Sequence, residues 1–257
     1  MSEVAYVDSD SDDVTEIAHG KSQSILVVAR QATQLLIFNR QQSRNALTRE
    51  MRRSFAALLA QADADEDVRS VIVTGAHGAF SSGVDIKESR AQPGEMVRPH
   101  PGEALRAFSK PVIAAVDGAC ITGSLEIALS CDFIIATTRA IFADTHAKIG
   151  IFPAWGLTAM LPRAIGVRKA RQMMLTGAPI SAQLALQWGL VNELVEPAAL
   201  LPHCLKLTSN LAAMNQVLVV RQKALLDVER SFSEALAAEE EAAALWRGGD
   251  RSDQNKP

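Results

Sequence analysis

Two glycine-bearing segments carry the residues best suited to chemistry. The first is Gly78-Ala79-Phe80-Ser81-Ser82-Gly83-Val84-Asp85-Ile86-Lys87. The second is Val116-Asp117-Gly118-Ala119-Cys120-Ile121-Thr122-Gly123-Ser124-Leu125-Glu126. Each follows a short apolar run that reads as a buried strand, and each can aim a backbone N–H at a substrate oxygen. Glu126 stands three residues past its glycine, which on a helix puts both on one face. Two fixed N–H donors beside a carboxylate form an oxyanion hole with an acid/base next to it. Burial against Leu125, Ile127 and Leu129 predicts a raised pKa for Glu126, which suits a proton carrier. For a single loop, a glycine that merely makes a turn explains as much. A glutamate that caps a neighbouring segment is the competing account of Glu126.

The elements that position these loops are legible in outline. Ile25–Val28 and Leu35–Phe38 read as two strands joined by a short polar connection. Thr48 is a helix N-cap, followed by Met51, Phe55, Leu58, Leu59 and Ala62 on one face. Val71–Val73, Val112–Val116 and Phe133–Ala136 read as further buried strands. Strands alternating with helices predict parallel βαβ units. Residues 88–103 hold three prolines and two glycines. They read as a loop or loosely held helix over the site. From about Leu200 the chain turns helical, with alanine-rich, amphipathic spacing over 216–228 and 233–246.

Motifs, spacings and order together resemble the crotonase family, the enoyl-CoA hydratases and isomerases. The resemblance rests on both glycine segments, on Arg44-Asn45-Ala46-Leu47 and on the strand Lys110–Val116. It continues through Leu175-Thr176-Gly177 to Ala185 and Gly189-Leu190-Val191, spanning roughly residues 25 to 235. It implies an α/β fold: a crotonase-like spiral of ββα/βαβ turns over 23–199, with a helical trimerisation region over 200–257. Residues 1–22, acidic around Asp8–Asp13, are expected to be disordered.

By the same resemblance the oxyanion donors are the N–H groups of Val84 and Gly123, and Glu126 is the first catalytic acid/base. Arg44, Ala46, Val84, Asp85, Ile86 and Lys87 would bind the CoA moiety, with Arg40 and Arg44 as possible phosphate partners. The family's second glutamate falls at His146, and here the chain departs from the pattern. Histidine can exchange a proton near neutral pH, so the expected catalytic pair is Glu126 and His146. Asp144, two residues away, need not face it, and a pocket-lining histidine without a chemical role is the other possibility. The expected activity is addition of water to a trans-2-enoyl-CoA in fatty acid metabolism. Double-bond isomerisation and non-catalytic acyl-CoA binding are the alternatives.

Composition bounds the rest. Of 257 residues 48% are hydrophobic but only 5% aromatic, so the core must be built mainly of Ala, Leu, Ile and Val. A net charge of −3 and the lack of a basic stripe argue against nucleic acid. No apolar stretch reaches membrane-spanning length. Three cysteines without a CxxC and five scattered histidines suggest free thiols in a reducing cytoplasm and no metal site. No cofactor is expected beyond the coenzyme A thioester as substrate. The expected partners are further copies of the chain, as a trimer or hexamer. There is no GxGxxG, no complete P-loop, and no GxSxG around Ser81 and Ser82.

Overall fold

A computed structural model describes residues 3–91, 96–226 and 230–248. In chain order it contains β1 (Val4–Tyr6), α1 (Val14–Ala18), β2 (Ile25–Arg30), β3 (Thr33–Phe38), α2 (Arg49–Ala64), β4 (Ser70–Gly75), β5 (Ala79–Ser81), α3 (Ile86–Ala91) and α4 (Pro101–Ala107). These are followed by β6 (Val112–Val116), β7 (Ala119–Ile121), α5 (Gly123–Leu129), β8 (Phe133–Thr137), β9 (Ile141–Ala143), α6 (His146–Ile149), α7 (Leu157–Ile165) and α8 (Val167–Thr176). The chain continues through β10 (Ile180–Ser181), α9 (Ala182–Trp188), β11 (Glu193–Val195), α10 (Leu200–Ala212), α11 (Gln216–Leu226) and α12 (Phe232–Gly248).

The expected spiral is present. Three successive turns each send one strand to each of two sheets. β4, β6 and β8 join a seven-stranded sheet of order β1-β2-β3-β4-β6-β8-β11. Their partners β5, β7 and β9 join a four-stranded sheet of order β10-β9-β7-β5. The large sheet is parallel apart from the β2–β3 hairpin. Its central strands β4 and β6 are buried along their whole length. This is why they read as continuous apolar runs rather than alternating ones.

One core packs Leu36, Phe38, Val71, Val73 and Val112 against α2 and α5. Phe38 meets Phe55 and Phe80 at ring separations of 5.6 and 5.9 Å. Removing such a ring costs about 3–5 kcal/mol. Thr48 caps α2 as expected, its hydroxyl accepting from Met51 N at 3.1 Å. A second core, on the other face of the sheet, takes Ile72, Ile113 and Ile135 together with Leu200, Leu201 and Cys204 of α10. α10 is thus part of the core layer. The helical region expected to start at 200 joins the spiral directly.

Two expectations need correction. Residues 4–18 are not disordered. β1 pairs in parallel with β2, and Ile17 and Ala18 of α1 are buried at 2% exposure. The acidic composition of 8–13 hid two short apolar patches that the sheet and the second core can cover. Residues 1–2 of that segment lie outside the described residues. Second, α11 is not amphipathic. Val217, Leu218, Val219 and Val220 run around it and none of its residues is buried. Its apolar content, not a stripe, made it look amphipathic. Residues 92–95, 227–229 and 249–257, to which parts of the loop and helix expectations extend, lie outside the described residues.

Candidate active site

The two glycine loops meet. Gly83 has φ +90°, and a Cβ on it would stand 2.7 Å from Ile121 O and 3.3 Å from Gly123 N. Only glycine allows this approach. Leu47 fixes the first loop: its N–H donates to Gly83 O at 2.8 Å, and its carbonyl accepts from Asp85 N at 3.0 Å. This ladder uses the residues on either side of Val84 and leaves the Val84 N–H turned away from it. Gly123 opens α5, so its N–H has no partner within the helix. Among the described residues neither amide donates to a protein acceptor. The Val84 side chain would lie 3.4 Å from a Cβ at Gly123, so the two residues are neighbours.

The serines in these loops are structural. Ser81 Oγ donates to Asn45 O, and Ser124 Oγ donates to Ser81 O. Thr122 holds φ +58° and ψ −111°, an unusual conformation for a β-branched residue. Its N–H donates to Ala143 O at 2.8 Å. Its hydroxyl pairs with that of Thr145 at 2.6 Å and accepts from Thr145 N at 3.1 Å. The residue before the Gly123 amide is therefore tied to the segment that carries His146.

Glu126 sits on the first turn of α5 with 2% exposure. Its Oε1 accepts from Trp155 N at 2.8 Å and Leu157 N at 3.2 Å. Between them Gly156, at φ +117°, makes the turn that lets both N–H groups reach one oxygen. Arg106 steadies the turn by donating to Trp155 O at 2.9 Å. Burial pushes the Glu126 carboxyl above its ordinary range, against the lowering effects of the Trp155 amide, His146 and the Leu157 amide. The direction expected from its apolar neighbours is the one found.

Glu126 Oε2 faces His146 Nε2 at 3.8 Å. His146, 6% exposed, opens α6, and its Nδ1 lies 2.6 Å from Asp144 Oδ1. The same oxygen accepts from His146 N at 3.1 Å. Asp144 therefore makes an Asx-type turn and meets the imidazole of the same residue. The sequence carried a signal for this: an Asp two residues before a helix-opening residue. It did not reveal that the ring would fold back onto the same carboxylate.

These groups line a cavity of about 180 Å³ whose walls include Val84, Thr122, Glu126, Thr145, His146 and Trp155. Sequence reasoning missed Trp155 and His100, which stack at 5.8 Å, and Arg52, whose guanidinium lies 5.8 Å from the Trp155 ring. No motif marks these residues, because they come from three separate segments. Met96, Val97 and His100 bring the described part of the 88–103 segment to the cavity wall. His100 caps α4, accepting from Glu103 N at 3.1 Å. Burial, then the charges of Arg98 and Arg106, lower its pKa to about 4.

A wider cleft of about 1060 Å³ shares Ser82, Val84 and Ile86 with the cavity. All six residues expected to bind CoA line it: Arg44, Ala46, Val84, Asp85, Ile86 and Lys87. His19 and Lys21, from the N-terminal segment, also line it. Arg40 lines it too, but its Nη1 is engaged by Asp85 Oδ2 at 3.0 Å and Ala46 O at 2.5 Å. Its first task is to hold the loops together. Among the described residues no group of three or more His, Cys, Asp or Glu side chains could hold a metal ion. No helix there is long and apolar enough to cross a membrane.

Comparison with known proteins agrees with this architecture. A family model described as enoyl-CoA hydratase/isomerase matches residues 29–245. A probable peroxisomal enoyl-CoA hydratase of Arabidopsis thaliana is 34% identical over 240 residues, 91% of each chain. The crystal structure of an enoyl-CoA hydratase from Mycobacterium tuberculosis is 41% identical, with a TM-score of 0.72, covering 87% of this chain and 95% of that one. One from Bacillus anthracis is 30% identical with a TM-score of 0.81, covering 86% of this chain and 90% of its own.

Proposed function

The chain belongs to the enoyl-CoA hydratase/isomerase family, and from that premise we propose that it adds water to trans-2-enoyl-CoA thioesters to give 3-hydroxyacyl-CoA. The observation that carries this reading is the convergence of Glu126 Oε2 and His146 Nε2, 3.8 Å apart, on a cavity beside two unengaged amides. The thioester carbonyl oxygen would accept from Val84 N–H and Gly123 N–H. The CoA moiety would extend into the wider cleft past Ile86 and Lys87.

The proton balance is complete within the site. Glu126, as carboxylate, takes a proton from water while the water oxygen bonds to Cβ. The π electrons of the double bond move through Cα to the carbonyl oxygen, where the two amides stabilise the charge. Such a donor is worth about 3–4 kcal/mol of barrier. His146, as imidazolium, delivers its Nε2 proton to Cα as the enolate collapses. Glu126 is then protonated and His146 neutral, and one proton passing across the gap between them restores the starting state. No metal or redox group enters these steps.

The exposed apolar residues of α11 and α12, such as Leu226, Phe232, Leu236 and Leu245, support assembly into a trimer or a dimer of trimers.

The test is incubation with crotonyl-CoA and longer 2-enoyl-CoAs. Loss of the conjugated thioester absorbance, with product heavier by one water, is the expected result. Absorbance that instead grows from a 3-enoyl-CoA, with none lost from 2-enoyl-CoAs, would show an isomerase. Binding without either change would show an acyl-CoA carrier.

A further inference from the structure

We infer that Asp144 is the positioning residue of the proton donor: its carboxylate holds the His146 ring so that Nδ1–H is engaged and Nε2 is presented to Glu126 and the cavity. The inference rests on the reading of His146 as a proton carrier and goes beyond it. A free imidazole can place its proton on either nitrogen and turn about its side-chain bonds. Here both freedoms are removed. Asp144 Oδ1 lies 2.6 Å from His146 Nδ1, and a carboxylate accepts, so Nδ1 must donate. The same oxygen accepts from His146 N at 3.1 Å, which fixes the residue at both backbone and ring.

Asp144 has little else to do. It is 1% exposed, and among the described residues no Lys or Arg pairs with it. A buried carboxylate needs a partner, and among the described residues the cation that can form against it is the His146 imidazolium. When His146 gives up its Nε2 proton, the N–H electron pair stays on Nε2 and Nδ1–H stays with Asp144. When it is reprotonated, Asp144 stabilises the charge. A histidine in place of a second carboxylate thus comes with its own orienting acid. Glu126, by contrast, is oriented by two backbone amides.

The competing account is that Asp144 only shapes the turn. Asn serves an Asx turn as well as Asp does, so Asp144→Asn keeps the turn and removes the charge. The expected loss in kcat for crotonyl-CoA hydration is roughly 10²-fold or more, with KM within about threefold and an unchanged thermal midpoint. In a His146→Gln background the same change should cost less than about threefold, because residues acting as one unit are not additive.

A measurement on the unmodified chain guards against variants that fail to fold. The ¹⁵N shifts of His146 should show Nδ1 protonated in both the neutral and charged forms. The inference is overturned if Asp144→Asn keeps turnover within about threefold, if its cost is the same in both backgrounds, or if neutral His146 carries its proton on Nε2. The source of failure is distinguishable. If His146→Gln is as active as the parent, the proton-carrier reading falls as well. If His146→Gln is impaired and Asp144→Asn is not, only the positioning role falls.

Discussion

The reactive cavity and the wider cleft are joined at Ser82, Val84 and Ile86 but are built by different rules. In the cavity, each oxygen or nitrogen offered to chemistry has its orientation fixed by a second bond. Glu126 is held through Oε1 by two amides, and His146 is held through Nδ1 by Asp144. In the cleft, Lys87 lies on the first turn of α3 and Arg44 follows a short 3₁₀ turn. On the proposed reading the cleft would hold the CoA moiety by shape and screened charge, whereas the cavity would set atoms at fixed places. Substitutions in the cavity should therefore act on kcat and those in the cleft on KM.

The largest effect should come from Gly123→Val. A Cβ at 123 would stand 3.1 Å from the Trp155 ring and 3.4 Å from Val84, displacing one oxyanion donor. The expected loss in kcat is roughly 10²–10³-fold, measured on protein shown by circular dichroism to be folded. A folded variant with full activity would remove Gly123 from the oxyanion hole. Next comes Glu126→Gln, which keeps the shape and loses the base. We expect kcat to fall by about 10²-fold or more, while acyl-CoA affinity stays within about tenfold. Turnover near that of the parent would exclude Glu126 as the acid/base.

Lys87→Ala should sharpen the contrast from the other side. Losing one exposed cation near a phosphate is worth about 1 kcal/mol, so KM should rise roughly fivefold with kcat unchanged and the effect reduced in high salt. A large fall in kcat would mean that the cleft orients the substrate as tightly as the cavity does.

The smallest effect concerns the pH dependence of stability at His100. Its folded pKa is about 4, below the ordinary value of about 6.5. The unfolded chain therefore takes up this proton first. The stability that neutral His100 contributes is fully present above about pH 6.5 and declines as pH falls toward 4. His100→Asn retains an N-cap acceptor. It should flatten that part of a denaturation profile, and an identical profile would contradict the assignment.

The two regions also differed in how far the sequence could be read. Gly123 and Glu126 were legible because they lie three residues apart on one helix, and Gly83 because it sits in its own turn motif. The strands β4, β6 and β8 were legible as apolar runs, and the α2 cap from Thr48. What remained hidden needed contacts between distant segments. Trp155 N and Leu157 N reach Glu126 across about thirty residues. His100 meets Trp155 through the fold alone. β1 was obscured for a different reason. It is three residues long beside an acidic run, and its order comes from the edge of β2. Asp144 lay in view, but its role depends on a side-chain rotation that spacing does not specify.

The proposed reaction requires His146 as Glu126's partner, and the direct test is crotonyl-CoA hydration by the parent, His146→Ala and His146→Glu under one set of conditions. The parent should hydrate, and His146→Ala should lose most turnover, on the roughly 10²-fold scale of a lost acid/base. His146→Glu, which supplies a carboxylic acid in place of the imidazolium, should retain measurable hydration. A His146→Ala protein as active as the parent would contradict the account and leave Glu126 working alone. So would a parent that hydrates no enoyl-CoA while His146→Glu does, for the natural chain would then be an acyl-CoA binder.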